Sequence, residues 1–170
     1  PGALDKKDDS IVSAKSEDYG SITANYIENK YNEDNTVIAI SPATPAVTGF
    51  TPAFRDKAGI HYTDVGIAEE HAIAFASGIA KNGAKPILGI MSSFVQRTYD
   101  QLSQDLALNN NPATILVFWG SISGMDATHL TVFDIPLISN IPNMVYLAPT
   151  CKEEYLKMLD WSVEQQDKPV

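Results

Sequence analysis

Pro86-Ile-Leu-Gly-Ile-Met91, followed at once by Ser92-Ser-Phe-Val-Gln-Arg97, is the stretch on which the fold turns. Six uncharged residues opened by a proline read as a short strand buried on both faces, and the two serines behind them are ordinary helix-capping chemistry. Three further runs share the pattern: 36–41 (TVIAIS), 113–119 (ATILVFW) and 144–148 (MVYLA), each bounded by Pro, Asn or Gly. Between these strands the spacing predicts helices at about 21–32, 68–81, 95–109 and 151–166. In the last, Tyr155, Met158, Leu159 and Ser162 recur at helical spacing behind Glu153-Glu154, an acidic first turn that complements the helix dipole. Helices alternating with strands that are apolar on both sides imply an α/β three-layer sandwich, a mostly parallel sheet with helices on both faces.

Working outward, residues 1–17 are polar and mixed in charge and read as a linker or arm, with one domain over 18–170. The 170 residues are 44% hydrophobic, enough for a single core. Twelve basic against 21 acidic residues give a net charge of −9, which argues against binding duplex nucleic acid, since its phosphates would be repelled. Cys151 is the one cysteine, so no intrachain disulfide can form, and a reducing, cytoplasmic setting is expected. No run approaches the roughly 18 apolar residues of a membrane span, and PGALDKKDDS lacks a signal core, so a soluble protein is expected. The chain begins with Pro1 and ends on Lys168-Pro169-Val170, which reads as the opening of a new apolar segment; a piece of a longer protein is the expectation.

Two connections are long, 42–67 and 120–136, and both follow a strand, where open parallel sheets carry their ligands. Three groups of residues there could do chemistry. Asp64-Val-Gly-Ile-Ala-Glu69-Glu70-His71 puts three carboxylates and an imidazole at a helix start. Helix capping explains them as well as function does, yet an acid covered by Ile67, Ala68 and Ala72 could also exchange a proton with a ligand nitrogen. Their spacing is not that of a metal site, and no metal ligands are assigned in this chain. In the second group, Arg97 opposes the dipole in a first helical turn. It could bind an anion or pair with the acids at 64, 69 or 70, and the ion pair is the preferred reading. The third, Gly120 to Asp134, carries Asp126 and His129 on a glycine-containing loop that reads as a lid or as plain surface. No trustworthy Ser-His-Asp order, GxSxG elbow or P-loop is present.

Taken in order, these segments resemble one family. Ala39-Ile-Ser-Pro-Ala-Thr44, Asp64 to Ala72, Lys85-Pro-Ile87, Ser93-Phe-Val-Gln-Arg-Thr-Tyr-Asp-Gln101, Thr128-His129, Phe133-Asp134 and Ile141-Pro-Asn-Met-Val145 are together similar to the pyrimidine-binding domain of 1-deoxy-D-xylulose-5-phosphate synthase. That family consists of thiamine diphosphate enzymes related to transketolase, and the resemblance spans roughly 19–170. It implies the thiamine-diphosphate-binding fold of pyrimidine-binding type, with 1–17 as the linker after the diphosphate-binding domain. It also implies a parent enzyme that decarboxylates pyruvate and condenses the product with glyceraldehyde 3-phosphate. By the same resemblance Glu69 hydrogen-bonds N1′ of the cofactor's aminopyrimidine, and Phe94 stacks on that ring. Arg97, Asp126 and His129 fall on substrate-binding positions, with His129 also a proton-transfer candidate.

Departures sit on the acceptor side. Met91 stands where the family usually has Tyr, Phe118-Trp119 where it has Asp-Arg, and Leu130-Thr-Val132 where it has Gln-Gly-Ala. A tryptophan has no charge with which to hold an acceptor phosphate. A transketolase-like paralogue with a different acceptor is therefore an alternative, as is a catalytically silent domain kept for subunit pairing. The resemblance further implies a homodimer, and a Mg²⁺ whose ligands lie in the diphosphate-binding domain. It places the next strand at about Pro169, cut off here. The expectation is that this polypeptide alone binds thiamine diphosphate poorly and has no synthase activity, which titration calorimetry would test.

Overall fold

The computed structural model describes residues 17–120, 129 and 133–170, with two short strands of the N-terminal arm. Those strands, β1 (Ala3–Leu4) and β2 (Ile11–Val12), pair antiparallel. The body begins with α1 (Tyr19–Glu33), capped by the Asp18 carboxylate, which accepts from the Ser21 N–H at 2.7 Å. Then follow β3 (Val37–Ser41), α2 (Pro52–Ala58), β4 (Tyr62–Asp64), α3 (Glu69–Lys81) and β5 (Lys85–Met91). The chain continues through α4 (Ser92–Val95), β6 (Thr114–Phe118), α5 (Asp134–Ser139) and α6 (Lys152–Glu164).

All strands of the main sheet are parallel, in the order β4-β3-β5-β6. The period-two alternation of the strands sorts their side chains between two helical layers. Ile40, Leu88 and Ile90 point into a cluster closed by Ala72, Ile73 and Ala76 of α3 with Leu102 and Leu106. Val37, Ala39 and Ile87 point the other way, onto Ile27 of α1, Phe54 of α2 and Leu159 of α6. Each valine, leucine or isoleucine side chain fully enclosed this way contributes about 1.5–3 kcal/mol. The three-layer arrangement expected from the sequence is what the chain adopts.

Several elements differ from the expectation. The stretch 42–67 is not one loop: α2 lies inside it, started by the Thr51 hydroxyl accepting from Phe54 N–H at 3.2 Å and by Pro52 in the first turn. Strand β4 also lies inside it at the sheet edge, with Tyr62 and Thr63 half-buried and Asp64 exposed. The helix expected at 95–109 is broken. It starts at Ser92 as α4, tightens to a 3₁₀ turn over Gln96–Thr98, and widens to a π-helix over Gln101–Ala107. The stretch 144–148 is neither helix nor strand: Val145 N–H donates to Pro169 O at 3.0 Å, and one such bond does not make a ladder.

The layer of α1 and α6 is tied together, and to the sheet, at one end by charge. Lys30 of α1 lies 2.8 Å from both Asp160 and Glu164 of α6, and Lys85 of β5 lies 2.7 Å from Glu164 and 3.0 Å from Asp34. Asp34 also accepts from the Thr36 hydroxyl at 2.6 Å and the Thr36 N–H at 2.9 Å. The Thr36 bonds, with Lys85 assisting, hold the Asp34 carboxyl down at about 2, against an ordinary 3.8. A carboxyl depressed on folding contributes stability that is present above its unfolded value and lost as pH falls through the folded one. Asp34→Asn is therefore expected to flatten the acid limb of the stability curve between about pH 4 and pH 2. Urea midpoints measured across that range check it, and an unchanged acid limb would contradict it.

Candidate functional site

The order β4-β3-β5-β6 sends the connection after β3 toward one edge of the sheet and the connection after β5 toward the other. Ligands of such sheets bind in the crevice this reversal opens at the strands' carboxyl ends. Here the crevice lies between the loop after Ser41 and the turn at Ser92.

Glu69 is delivered to this edge by the short β4-to-α3 connection. It is the first residue of α3, 2% exposed, with Glu70 beside it in the first turn. The N-cap, Ala68, makes no side-chain capping bond, so neither glutamate is spent as an N-cap. Arg97 Nη1 reaches Glu69 Oε2 at 3.2 Å, while its Nε lies 3.6 Å from Glu70 Oε1. One guanidinium thus bridges two carboxylates, the ion pair preferred from the sequence. The contact to Glu69 is not aligned as a hydrogen bond, and Oε2 remains a buried acceptor without one.

Asp64 does not join them. Its carboxylate accepts from Ala43 N–H at 3.1 Å, Gly66 N–H at 2.9 Å and the Tyr62 hydroxyl at 3.2 Å, so it ties down the turns on either side. Nor does Ile67 cover Glu69, being 79% exposed, whereas Ala72 is fully buried behind it. His71 packs beside the Phe75 ring, centroids 6.2 Å apart.

Phe94, on α4, is half-buried and packs against the core cluster beneath it. The ring of His129 meets it edge-on, centroids 6.0 Å apart at 70°. Two residues far apart in the chain are thereby brought to one place. Asp126 lies outside the described residues.

Sequence reasoning missed the polar lining. Ser92 Oγ, Ser93 Oγ, Thr44 Oγ1 and Gln101 Oε1 are buried without hydrogen-bond partners, as is Glu69 Oε2. Buried polar groups are ordinarily satisfied, so five orphans on segments that converge at this edge mark a place built for a polar ligand. Their signal in the sequence was only the hydroxyl residues directly after two apolar strands. Backbone strain gathers here too: Ala43 (φ 57°) follows β3 and Trp119 (φ 60°) follows β6, both left-handed at non-glycine residues.

The fold and this edge define a class: an α/β domain that presents a buried acid and an aromatic ring at the switch point of a parallel sheet. Residues 16–170 match the family described as the transketolase pyrimidine-binding domain, and the chain belongs to that family. It is 42% identical over 144 residues to a 1-deoxy-D-xylulose-5-phosphate synthase of Symbiobacterium thermophilum, covering 83% of this chain and 22% of that protein. Over 169 residues it is 34% identical to the synthase of Clostridium botulinum strain Alaska E43, covering 97% of this chain and 26% of the relative. The chain thus spans about a quarter of such relatives. Among solved structures, a Pichia stipitis transketolase in complex with sedoheptulose-7-phosphate superposes with a TM-score of 0.79 at 18% identity, over 92% of this chain and 25% of that one. A split-gene transketolase, described as an inactive β4 tetramer, gives 0.73 at 17% identity, over 87% and 48%. At these identities the structural likenesses speak for the fold.

Proposed function

We propose that this chain is the pyrimidine-binding part of a thiamine-diphosphate-dependent transferase of the 1-deoxy-D-xylulose-5-phosphate synthase type. The observation that carries the reading is the Glu69 carboxyl, buried, unaligned with Arg97 and left with an acceptor oxygen open. A silent subunit-pairing domain has no use for such a group. The orphaned Ser92, Ser93, Thr44 and Gln101 oxygens fit a nitrogen heterocycle that brings its own donors and acceptors.

Glu69 would hold a proton against a ring nitrogen of the cofactor, and Phe94 would supply a flat apolar surface for the ring. Bound thiamine diphosphate supplies the carbanion-stabilising centre that pyruvate decarboxylation requires. Arg97, bridging Glu69 and Glu70, offsets the repulsion between two like charges in one helical turn. His129, whose ring meets Phe94, would face a substrate hydroxyl, and Asp126 would have the same task. Mg²⁺ and its diphosphate would be held by another domain of the parent, so the isolated chain would bind the cofactor weakly and lack synthase activity. A cytoplasmic homodimer completes the reading. No helix among the described residues is long and apolar enough to cross a membrane.

A second reading, a paralogue with a different acceptor, is favoured by Trp119, which directly follows β6 and is 38% exposed. The experiment is the full-length parent assayed with pyruvate and a panel of aldehydes. Preference for glyceraldehyde 3-phosphate supports the synthase, decarboxylation without that preference supports the paralogue, and failure to decarboxylate pyruvate contradicts both.

A further inference from the structure

Asp134 is a buried acid for which the proposed chemistry has no use. It opens α5 at 8% exposure, and among the described residues no hydrogen bond or ion pair reaches its carboxylate. Carboxylates favour helix starts, which accounts for an acid at this position but not for its burial. A buried carboxylate without a partner is costly, and native chains keep such groups where a ligand or another polar group satisfies them.

Gly120, two residues beyond β6, lies between Asp134 and Ser92. A Cβ added to it would come 2.8 Å from Asp134 Oδ2 and 3.7 Å from Ser92 Cβ. A residue without a side chain thus leaves a cradle, with the carboxylate on one side and the serine on the other. Ser92 is 2% exposed, and its Oγ is itself without a hydrogen-bond partner. Trp119, Gly120, Asp134 and Tyr146 line one cavity. Burial pushes the Tyr146 hydroxyl above its ordinary pKa and the Asp134 charge pushes it further, so the carboxylate's charge reaches into that cavity.

An ionised carboxylate accepts hydrogen bonds and donates none, while a serine hydroxyl does either. The pair suits a ligand hydroxyl, which donates to Asp134 and shares a bond with Ser92, and the Trp119 ring offers an apolar face to the ligand's carbons. A phosphate is repelled. Arg97 is committed to Glu69 and Glu70, and no described lysine or arginine pairs with Asp134 to offset its charge.

We propose that Asp134, with Ser92 across Gly120 and the Trp119 ring beside them, is the specificity-determining group of an acceptor subsite, which takes the terminal hydroxyl of an unphosphorylated hydroxyaldehyde and turns a phosphorylated one away. The proposal rests on the second reading above, a transferase with a different acceptor, and names the class of that acceptor.

The test uses the full-length parent with thiamine diphosphate and pyruvate, and either D-glyceraldehyde or D-glyceraldehyde 3-phosphate as acceptor. The unsubstituted protein is expected to favour D-glyceraldehyde in kcat/KM. Asp134→Asn keeps the shape of the side chain and removes its charge, and is expected to shift the ratio of the two acceptors toward the phosphorylated one by about tenfold or more. An unsubstituted protein that favours the phosphorylated acceptor, or that fails to decarboxylate pyruvate, removes the second reading and the proposal with it. Preference for D-glyceraldehyde with a ratio unmoved by Asp134→Asn leaves that reading standing and overturns the proposal, because a merely structural acid would slow both acceptors alike. Should Asp134→Asn lose activity with both acceptors, saturation-transfer NMR between the parent and D-glyceraldehyde decides. Transfer seen in the unsubstituted protein and lost in Gly120→Ala, where a methyl fills the cradle, supports the proposal; transfer equal in the two, or absent from the unsubstituted protein, overturns it.

Discussion

Glu69→Gln in the full-length parent is expected to slow pyruvate decarboxylation by about 10²- to 10⁴-fold, the range that positioned proton transfer contributes. Glutamine keeps the volume of the side chain in a site that is 2% exposed, so the packing of α3 on Ala72 and the strands is undisturbed. It also keeps a hydrogen-bonding oxygen, but it cannot release or accept a proton as the proposed role of the carboxyl requires. Alanine would remove the acid as well, at the cost of a buried void, and its effect would mix packing with chemistry. Glu70→Gln is the matched control. Its carboxylate shares Arg97 with Glu69 but is 41% exposed, so its loss should leave turnover near that of the unsubstituted enzyme. Carbon dioxide release measured for both variants at saturating cofactor separates the roles. Equal effects of the two substitutions would mean that the Arg97 bridge, not the acid at 69, is what matters.

That pair of glutamates shows how far the sequence could be read. Acids at a helix start are visible as a pattern, and so is an arginine placed against the dipole. Which acid is buried is not, because burial is decided by the crossing of α3 over the sheet rather than by anything within the octapeptide. Asp64 carries the same charge and sits shortly before Glu69, yet its carboxylate is consumed by the N–H groups of Ala43 and Gly66. The strands β3, β5 and β6 were legible because each is apolar on both faces. Tyr62–Asp64 was not, since a three-residue edge strand with no buried residue leaves no such run. The stretch 144–148 carries the composition of a strand, yet it meets Pro169 through a single backbone bond, Val145 N–H to Pro169 O at 3.0 Å, and one bond does not make a ladder. Phe94 against His129 and the orphaned hydroxyls depend on the meeting of distant segments, which a linear reading reaches only through resemblance.

The loop after β3, which forms one wall of the site, is held by a contact between two glycines, and Gly49→Ala is expected to destabilise the chain by more than about 3 kcal/mol. Gly49 has φ 77°, and a Cβ there would meet the Gly20 carbonyl oxygen at 2.0 Å and its carbon at 2.3 Å. The left-handed conformation alone costs an alanine about 1–2 kcal/mol. The remainder arises because the obstacle is backbone in the first turn of α1 and cannot rotate aside. Moving the loop would unseat its neighbours: Thr48, fully buried against Gly89, and Phe50, stacked on Phe54 with centroids 4.9 Å apart. Displacing a packed phenylalanine forfeits a share of the roughly 3–5 kcal/mol that its removal costs. Gly83 isolates the two contributions. It follows α3 at φ 89°, a methyl added to it would have nothing within 4 Å, and its N–H and that of Ala84 close the helix onto Ala80 and Ile79. Gly83→Ala should therefore cost the conformational part alone, about 1–2 kcal/mol. Urea unfolding of the two variants beside the unsubstituted chain measures the difference. If Gly49→Ala is no worse than Gly83→Ala, the loop yields without disturbing the core, and α1 does not set the position of that wall of the site.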